Sequence, residues 1–194
     1  PQRQDGLAYA GISLVGGRTS GSALERIADL AESYGSDRIR TTNSQNILIL
    51  DLPQSRLSEI RRDIAAAGFD AGPSWGRRSI IACTGIQFCK LAVAETKTRA
   101  EAIVDELERR ITMDEPIRIS VTGCPNACGQ HHICDIGLEG SVVTVDGVKE
   151  EALQVFLGGG VGVREACGRC SGGRVPSEGV AGELGSCLDG YRRL

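Results

Sequence analysis

The sequence predicts an α+β chain that consists of two consecutive modules. The first seventy or so residues follow a strand–helix–strand–strand–helix pattern of apolar periodicity. A stretch rich in glycine and proline at residues 70–76 then interrupts the chain. Beyond it, short apolar runs alternate with polar turns, and two of these turns carry paired cysteines. We therefore expect one domain over residues 1–72 and a second over residues 73–194.

The elements of the first module follow from its periodicity. Apolar runs predict strands over residues 7–15, 38–41 and 47–52. Apolar residues at helical spacing predict helices over residues 20–34 and 57–67, which Gly35 and Gly68 end. Such a βαββα unit is an α+β half-module.

The elements of the second module are shorter, and the cysteines interrupt them. We expect strands over residues 79–82, 117–121, 133–138, 142–145 and 153–157. A long helix is predicted over residues 88–111, with Leu91, Ala94, Ala102, Val104 and Leu107 as its buried stripe. The segment from residue 177 is weakly helical.

Composition excludes several classes of protein. Hydrophobic residues make up 41% of the 194 residues, which is enough for a core and argues against disorder. The net charge of −3 favours neither nucleic acid nor a membrane surface as a partner. Apolar runs are too short to span a bilayer, and no signal peptide is recognisable. We expect a cytoplasmic protein, and a fragment or processed form because the chain begins with Pro1.

Two cysteine pairs are the strongest chemical signal. Five residues separate Cys83 from Cys89, and three separate Cys124 from Cys128, each pair directly after a predicted strand. Four thiolates from two such turns suit an iron–sulfur cluster. Zinc also binds four cysteines, although the five-residue gap is wider than its usual spacing. Four buried, unligated cysteines are the third possibility.

The two cysteine motifs resemble those of the siroheme-dependent nitrite and sulfite reductases. IACTGIQFCKLAVAETKTRA and ISVTGCPNACGQHHICDIGL carry the resemblance, and PQRQDGLAYAGISLV with RTTNSQNILILDLP is similar to that family's ferredoxin-like half-domain. The resemblance implies a mixed α/β siroheme- and cluster-binding domain after the half-module. It implies a [4Fe–4S] cluster on Cys83, Cys89, Cys124 and Cys128, and a cofactor contact for Asn126. Cys128 takes the family's bridging position between the cluster and the siroheme iron.

The resemblance also implies an oxidoreductase activity. We expect six-electron reduction of nitrite to ammonia, because CTGIQFC and AETK are closer to the nitrite-type sequences. Sulfite reduction to sulfide is the first alternative. A precorrin-3B synthase-like enzyme, an iron–sulfur electron carrier without siroheme and a structural Zn(Cys)₄ module remain open. The implied electron donor is a ferredoxin or a nicotinamide-linked reductase. The chain resembles the second of the family's two halves, so we expect a companion half or a homodimer to complete the site.

Several other residues carry weaker signals. His131 and His132 follow the second cysteine pair, where a structural role is expected over proton donation. Lys90 and Lys97 are candidates for cofactor carboxylates or the donor protein. Four further cysteines, Cys134, Cys167, Cys170 and Cys187, depart from the family pattern and are expected to be free thiols rather than a second metal site.

Overall fold

The computed structural model describes residues 1–191, which separate into two units, Pro1–Pro73 and the chain from Ser74 onward. The first unit contains a three-stranded antiparallel sheet in the order β1-β3-β2. Its strands are β1 (Leu7–Ile12), β2 (Ile39–Thr41) and β3 (Ile47–Pro53), and its helices are α1 (Gly21–Ser33) and α2 (Leu57–Ala66). The predicted βαββα order is confirmed.

Local sequence signals explain the helices of the first unit. The Ser20 hydroxyl accepts a hydrogen bond from the amide of Ala23, so Ser20 is the N-cap of α1 as its position predicts. Tyr34, which follows α1, donates its hydroxyl to Asp63 of α2 at 2.6 Å. Burial, and then the Asp63 carboxylate, raise the pKa of Tyr34 to about 12. Packed around this pair is an apolar core that includes Ile12, Ile27, Ile49, Leu52, Ile60 and Ile64.

The second unit contains a five-stranded mixed sheet in the order β4-β5-β6-β7-β8. Its strands are β4 (Ile81–Ala82), β5 (Ile119–Thr122), β6 (Ile136–Val145), β7 (Val148–Leu157) and β8 (Arg169–Pro176). The first three strands are parallel, and β6, β7 and β8 pair antiparallel. The helices are α3 (Trp75–Ser79), α4 (Lys97–Arg110) and α5 (Val180–Tyr191). The α+β class is confirmed.

The helix predicted over residues 88–111 is wrong in its first third. α4 begins at Lys97, and the segment before it is irregular. The amides of Val93 and Ala94 donate to the carbonyl of Gly123 rather than to carbonyls four residues earlier, so the helix cannot extend through them. Leu91 and Ala102 of the predicted stripe are exposed, and the buried residues of α4 are Ala100, Ile103, Val104 and Leu107.

Several strand assignments also differ from the prediction. The strands predicted over residues 133–138 and 142–145 form the single strand β6, and β1 ends at Ile12 rather than at residue 15. Ser79 belongs to α3, so β4 has only two residues. Strand β8 was not predicted, because its sequence RCSGGRVP has no alternation of apolar residues and almost all of it is exposed. Backbone pairing with β7 defines this edge strand. Within residues 1–191 no helix is long and apolar enough to cross a membrane.

Close backbone packing holds the ends of these strands together. Gly140 of β6 is buried, and a Cβ added to it would lie 2.3 Å from the carbonyl oxygen of Gly123 and 2.9 Å from the Cβ of Ala94. Both neighbours belong to the segments that carry the cysteine pairs. Glycine at position 140 therefore allows the sheet to contact both segments directly.

We expect Gly140→Ala to destabilise the second unit by about 1–3 kcal/mol, since the new methyl group must displace backbone rather than a flexible side chain. The free energy of unfolding from urea denaturation measures the effect. Gly173→Ala is the matched control, because nothing lies within 4 Å of a Cβ at that exposed position. Equal stability of the two variants would contradict the packing role of Gly140.

Candidate metal centre

Parallel pairing of β4 with β5 brings the two cysteine pairs together. Ala82 lies opposite Val121 in the register, and the amide of Cys83 donates to the Val121 carbonyl at 3.0 Å. The carboxyl ends of neighbouring parallel strands meet at one edge of a sheet. The loop after β4 and the loop after β5 therefore start side by side, although Cys83 and Cys124 are forty-one positions apart.

The loop after β4 folds back on its own start. Gly85 has a left-handed conformation (φ +74°), and a Cβ there would lie 2.5 Å from the hydroxyl oxygen of Thr96. That hydroxyl donates to the carbonyl of Cys83 at 2.7 Å, and the amide of Cys89 donates to the carbonyl of Gly85 at 2.9 Å. These bonds fix the backbone on both sides of the first cysteine pair.

Gly123 joins the two loops. Its amide donates to the sulfur of Cys83 at 3.2 Å, and its carbonyl accepts from the amides of Val93 at 2.8 Å and Ala94 at 3.2 Å. An amide that donates to a cysteine sulfur is a typical partner of a sulfur ligand in a metal site. Gly123, which follows β5, thus forms a hydrogen bond with Cys83, which follows β4.

The second loop is a tight turn. Ala127 has a left-handed conformation (φ +56°), and its amide contacts the carbonyl of Cys124 at 3.4 Å. The carbonyl of Ala127 accepts from the amide of Gln130 at 2.7 Å. Below the turn, the Ser120 hydroxyl donates to the carbonyl of Gly129 at 2.5 Å. The turn therefore projects Cys124 and Cys128 from a backbone held at both ends.

The four thiols differ in exposure. Cys124 is buried, with 6% of its surface exposed, whereas Cys83 and Cys89 are half-buried and Cys128 is exposed. No three of these sulfur atoms, all in the described part of the chain, lie within 4.8 Å of one another. A tetrahedral zinc ion with Zn–S bonds of about 2.3 Å holds its sulfur atoms roughly 3.8 Å apart. The arrangement is wider than a preformed zinc site requires.

The first loop also exposes large apolar side chains. Phe88 is 79% exposed and Leu91 is 67% exposed, and Ile86 is half exposed. Contiguous exposed apolar residues mark surfaces that contact a partner or a ligand. We call this group, Ile86, Phe88 and Leu91, the apolar loop surface.

The other candidate residues lie in varied surroundings. Asn126 is at the exposed tip of the second loop, and Lys90 is exposed in the first. The Lys97 ammonium donates to the carbonyl of Ala82 at 2.8 Å, so this lysine supports the end of β4. The Glu95 carboxylate accepts the amides of Lys97 and Arg99 and thereby caps α4.

A second group of polar side chains follows the second loop. His131 is completely buried, His132 is partly exposed, and a carboxylate oxygen of Glu139 lies 3.1 Å from Nε2 of His131. Burial, and then the neighbouring His132, lower the pKa of His131 to about 4. The sequence singled out both histidines but not Glu139, since a single acidic residue within a strand gives no signal without the fold.

The remaining cysteines are scattered. Cys134 is buried, and burial raises the pKa of its thiol. Cys167, Cys170 and Cys187 are exposed, and the Cys170 sulfur accepts a hydrogen bond from the Gln154 amide at 2.9 Å. Throughout the described residues, no cysteine belongs to a group of three metal-ligating side chains whose ligand atoms lie within 4.8 Å of one another.

Comparison with known families accounts for both units. Residues 1–67 match the model of the nitrite/sulfite reductase ferredoxin-like half domain. Residues 75–192 match the model of the nitrite and sulphite reductase 4Fe-4S domain. The resemblance found in the cysteine motifs is therefore confirmed over most of the chain.

Similar proteins include reductases for both oxyanions. Sulfite reductase [ferredoxin] 2 of Mycolicibacterium paratuberculosis is 43% identical over 86% of this chain and 31% of its own length. Ferredoxin–nitrite reductase of Synechococcus elongatus is 40% identical over 84% of this chain and 32% of its own length. The solved structure of the Mycobacterium tuberculosis NirA protein superposes with a TM-score of 0.87 and 40% identity, over 94% of this chain and 35% of that one. The chain thus spans about a third of the length of these relatives, and it belongs to the nitrite and sulfite reductase family.

Proposed function

We propose that this chain is the cluster-bearing part of a siroheme-dependent oxyanion reductase. Cys83, Cys89, Cys124 and Cys128 would hold its [4Fe–4S] cluster. The observation that carries the proposal is the junction of the two cysteine loops, where the Gly123 amide points at the Cys83 sulfur at 3.2 Å. A cluster ligand needs this kind of donor, because the negative charge of thiolates and sulfides accumulates in a partly buried site.

The four cysteine ligands fit an iron–sulfur cluster better than a zinc ion. Each cysteine of a [4Fe–4S] cluster binds a different iron, so the four sulfur atoms are farther apart than around one metal ion. No three of the four sulfur atoms lie within 4.8 Å of one another, so they do not form the close group that a single zinc ion requires. The left-handed conformations of Gly85 and Ala127 allow the tight backbone turns that carry the thiols.

Cys128 differs from the other three ligands in a way that suits the bridging position. Its exposure leaves the sulfur accessible to a second metal, the siroheme iron, while buried Cys124 can serve the cluster alone. Asn126 is exposed on the same turn, so its amide is available for a cofactor contact. When bound, siroheme and cluster would supply the stored electrons for reduction of the oxyanion.

The substrate is a small oxyanion, and two candidates are supported. CTGIQFC and AETK favour nitrite, which would be reduced to ammonia in a six-electron reaction. The sulfite alternative is favoured by the mycobacterial relative named a sulfite reductase, which shares 43% identity against 40% for the cyanobacterial nitrite reductase. The ratio of kcat/KM for nitrite and sulfite on one enzyme preparation decides between them.

The proposed reductase requires more than this chain. Its relatives are about three times as long, and the two curated reductases quoted above are named for ferredoxin, which supports a ferredoxin as electron donor. The apolar loop surface is exposed beside the cluster cysteines, as expected for a surface that a companion half or a second copy covers. The remainder of the longer protein would also supply the cationic side chains that bind siroheme carboxylates and oxyanion.

We expect about four iron and four acid-labile sulfide per chain after anaerobic purification, with negligible zinc. Cys124→Ser should lose most of both, because iron in such sites favours a soft thiolate over a hydroxyl. Cys187→Ser, at an exposed position away from the two loops, should keep them. Iron, sulfide and zinc analyses measure the result. Stoichiometric zinc without sulfide in the unmodified chain would refute the cluster proposal.

We expect Cys128→Ser to abolish oxyanion reduction in the enzyme assembled with its companion half, even in preparations that retain cluster and siroheme. The serine oxygen cannot replace a thiolate that links two metals. Anaerobic turnover with a chemical reductant, divided by siroheme content, measures the effect. Cys170→Ser is the control at another exposed cysteine. Near-normal turnover per siroheme in Cys128→Ser would exclude the bridging role.

A further inference from the structure

We propose that His131, His132 and Glu139 form a second metal site, which binds one divalent ion of the zinc type through two imidazoles and a carboxylate. The two histidines occupy the single helical turn His131–Ile133 after the second cysteine loop, and Glu139 lies on β6. One ligand atom from each of the three residues lies within 4.8 Å of the other two. In the described chain this is the only such group of three or more histidine, cysteine or acidic residues.

The unsatisfied ring of His131 is the first argument. His131 has none of its surface exposed, and neither ring nitrogen has a hydrogen-bond partner. Burying an imidazole without a bond to its nitrogens costs free energy, so an orphaned buried ring requires an explanation. A metal ion at one nitrogen would provide the missing interaction.

The distance between His131 and Glu139 is the second argument. Nε2 of His131 lies 3.1 Å from the carboxylate oxygen, yet the two groups are not aligned as a hydrogen bond. Two ligands that bind tetrahedral zinc at about 2.0–2.1 Å are roughly 3.3 Å apart, and neither points at the other. The contact therefore has the spacing of neighbouring ligands of one ion.

The negative charge of the Glu139 carboxylate also favours a bound cation. The Glu139 side chain is only 14% exposed, and no lysine or arginine of the described chain forms an ion pair with it. Its neighbour His131 is neutral at pH 7, because burial lowers the pKa of that ring. A divalent cation would balance the carboxylate, and neutral imidazole is the form that binds metals.

Neighbouring residues hold the rings of His131 and His132 in place, and the His132 side of the site is open to solvent. The ring of Phe156 packs against His131 and His132, with centroid distances of 4.9 Å and 5.0 Å. The carbonyl of His132 accepts the Gly168 amide at 2.6 Å. His132 is partly exposed, which gives an ion a path to the site and leaves room for water as a further ligand.

Zinc binding by the cluster-loaded chain tests the proposal. Because exposed thiols also bind zinc, the background is Cys167→Ser, Cys170→Ser and Cys187→Ser. We expect one zinc per chain, with nitrogen and oxygen scatterers at about 2.0–2.1 Å and no sulfur at about 2.3 Å in the zinc X-ray absorption spectrum. Zinc should also raise the Tm, since the assembled site should bind it more tightly than the unfolded chain does.

Two variants test whether Glu139 and His132 bind the zinc ion. Glu139→Gln preserves size, and His132→Gln changes a partly exposed side chain, so both should fold, which circular dichroism checks. Each should weaken zinc binding at least tenfold in calorimetric titration and abolish the zinc-dependent rise in Tm. Glu150→Gln, an exposed carboxylate on β7, is the matched control and should bind zinc normally.

Three results would overturn the proposal: absence of zinc binding at micromolar concentration, zinc held by sulfur alone, or unchanged affinity in both ligand variants. Unchanged affinity would leave His131 and Glu139 as a structural pair. The proposal does not depend on the proposed function. Iron and sulfide measured in the same samples report on the cluster separately.

Discussion

The parallel pairing of β4 with β5 is the constraint on which the candidate metal centre depends. It places Cys83 beside the residue that follows β5, so that Gly123 donates to the Cys83 sulfur and accepts two amides from the end of the first loop. Without this pairing the two cysteine motifs would be unrelated turns, forty-one positions apart. Since β4 has only two residues, its hydrogen bonds with β5 need the support of the side chains of Thr96 and Lys97, which bind the carbonyls of Cys83 and Ala82.

Close approach of backbone segments is the second requirement, and it explains why glycines cluster here. The carbonyl of Gly123 bonds to the first loop while its own backbone contacts Gly140 of β6. A side chain at position 140 would separate sheet and loops at the point where they must meet. The cost of ordering these glycines is offset by the hydrogen bonds that their backbone groups form.

Sequence patterns predicted those helices and strands that are determined by their own side chains. Apolar residues at helical spacing predicted α1, and the apolar run of β3 predicted a strand. The sequence patterns failed where hydrogen bonds or side chains from elsewhere in the chain determine the local structure. Residues 88–96 have helical composition, but the carbonyl of Gly123 accepts the amides of Val93 and Ala94, and the large apolar side chains of Phe88 and Leu91 are exposed. The cysteine spacing suggested a metal centre, whereas Glu139 joined the two histidines only through the register of β6.

The two proposed metal sites lie close together in the sequence, yet their ligands select different ions. Thiolates are soft and favour iron–sulfur clusters, while imidazole with carboxylate favours zinc or a similar divalent ion. Cys128 and His131 are separated by two residues, Gly129 and Gln130, and Gln130 has a left-handed conformation (φ +58°) that turns the chain from one site to the other. The imidazole and carboxylate ligands of the second site do not suit an iron–sulfur cluster, whose irons are held by thiolates.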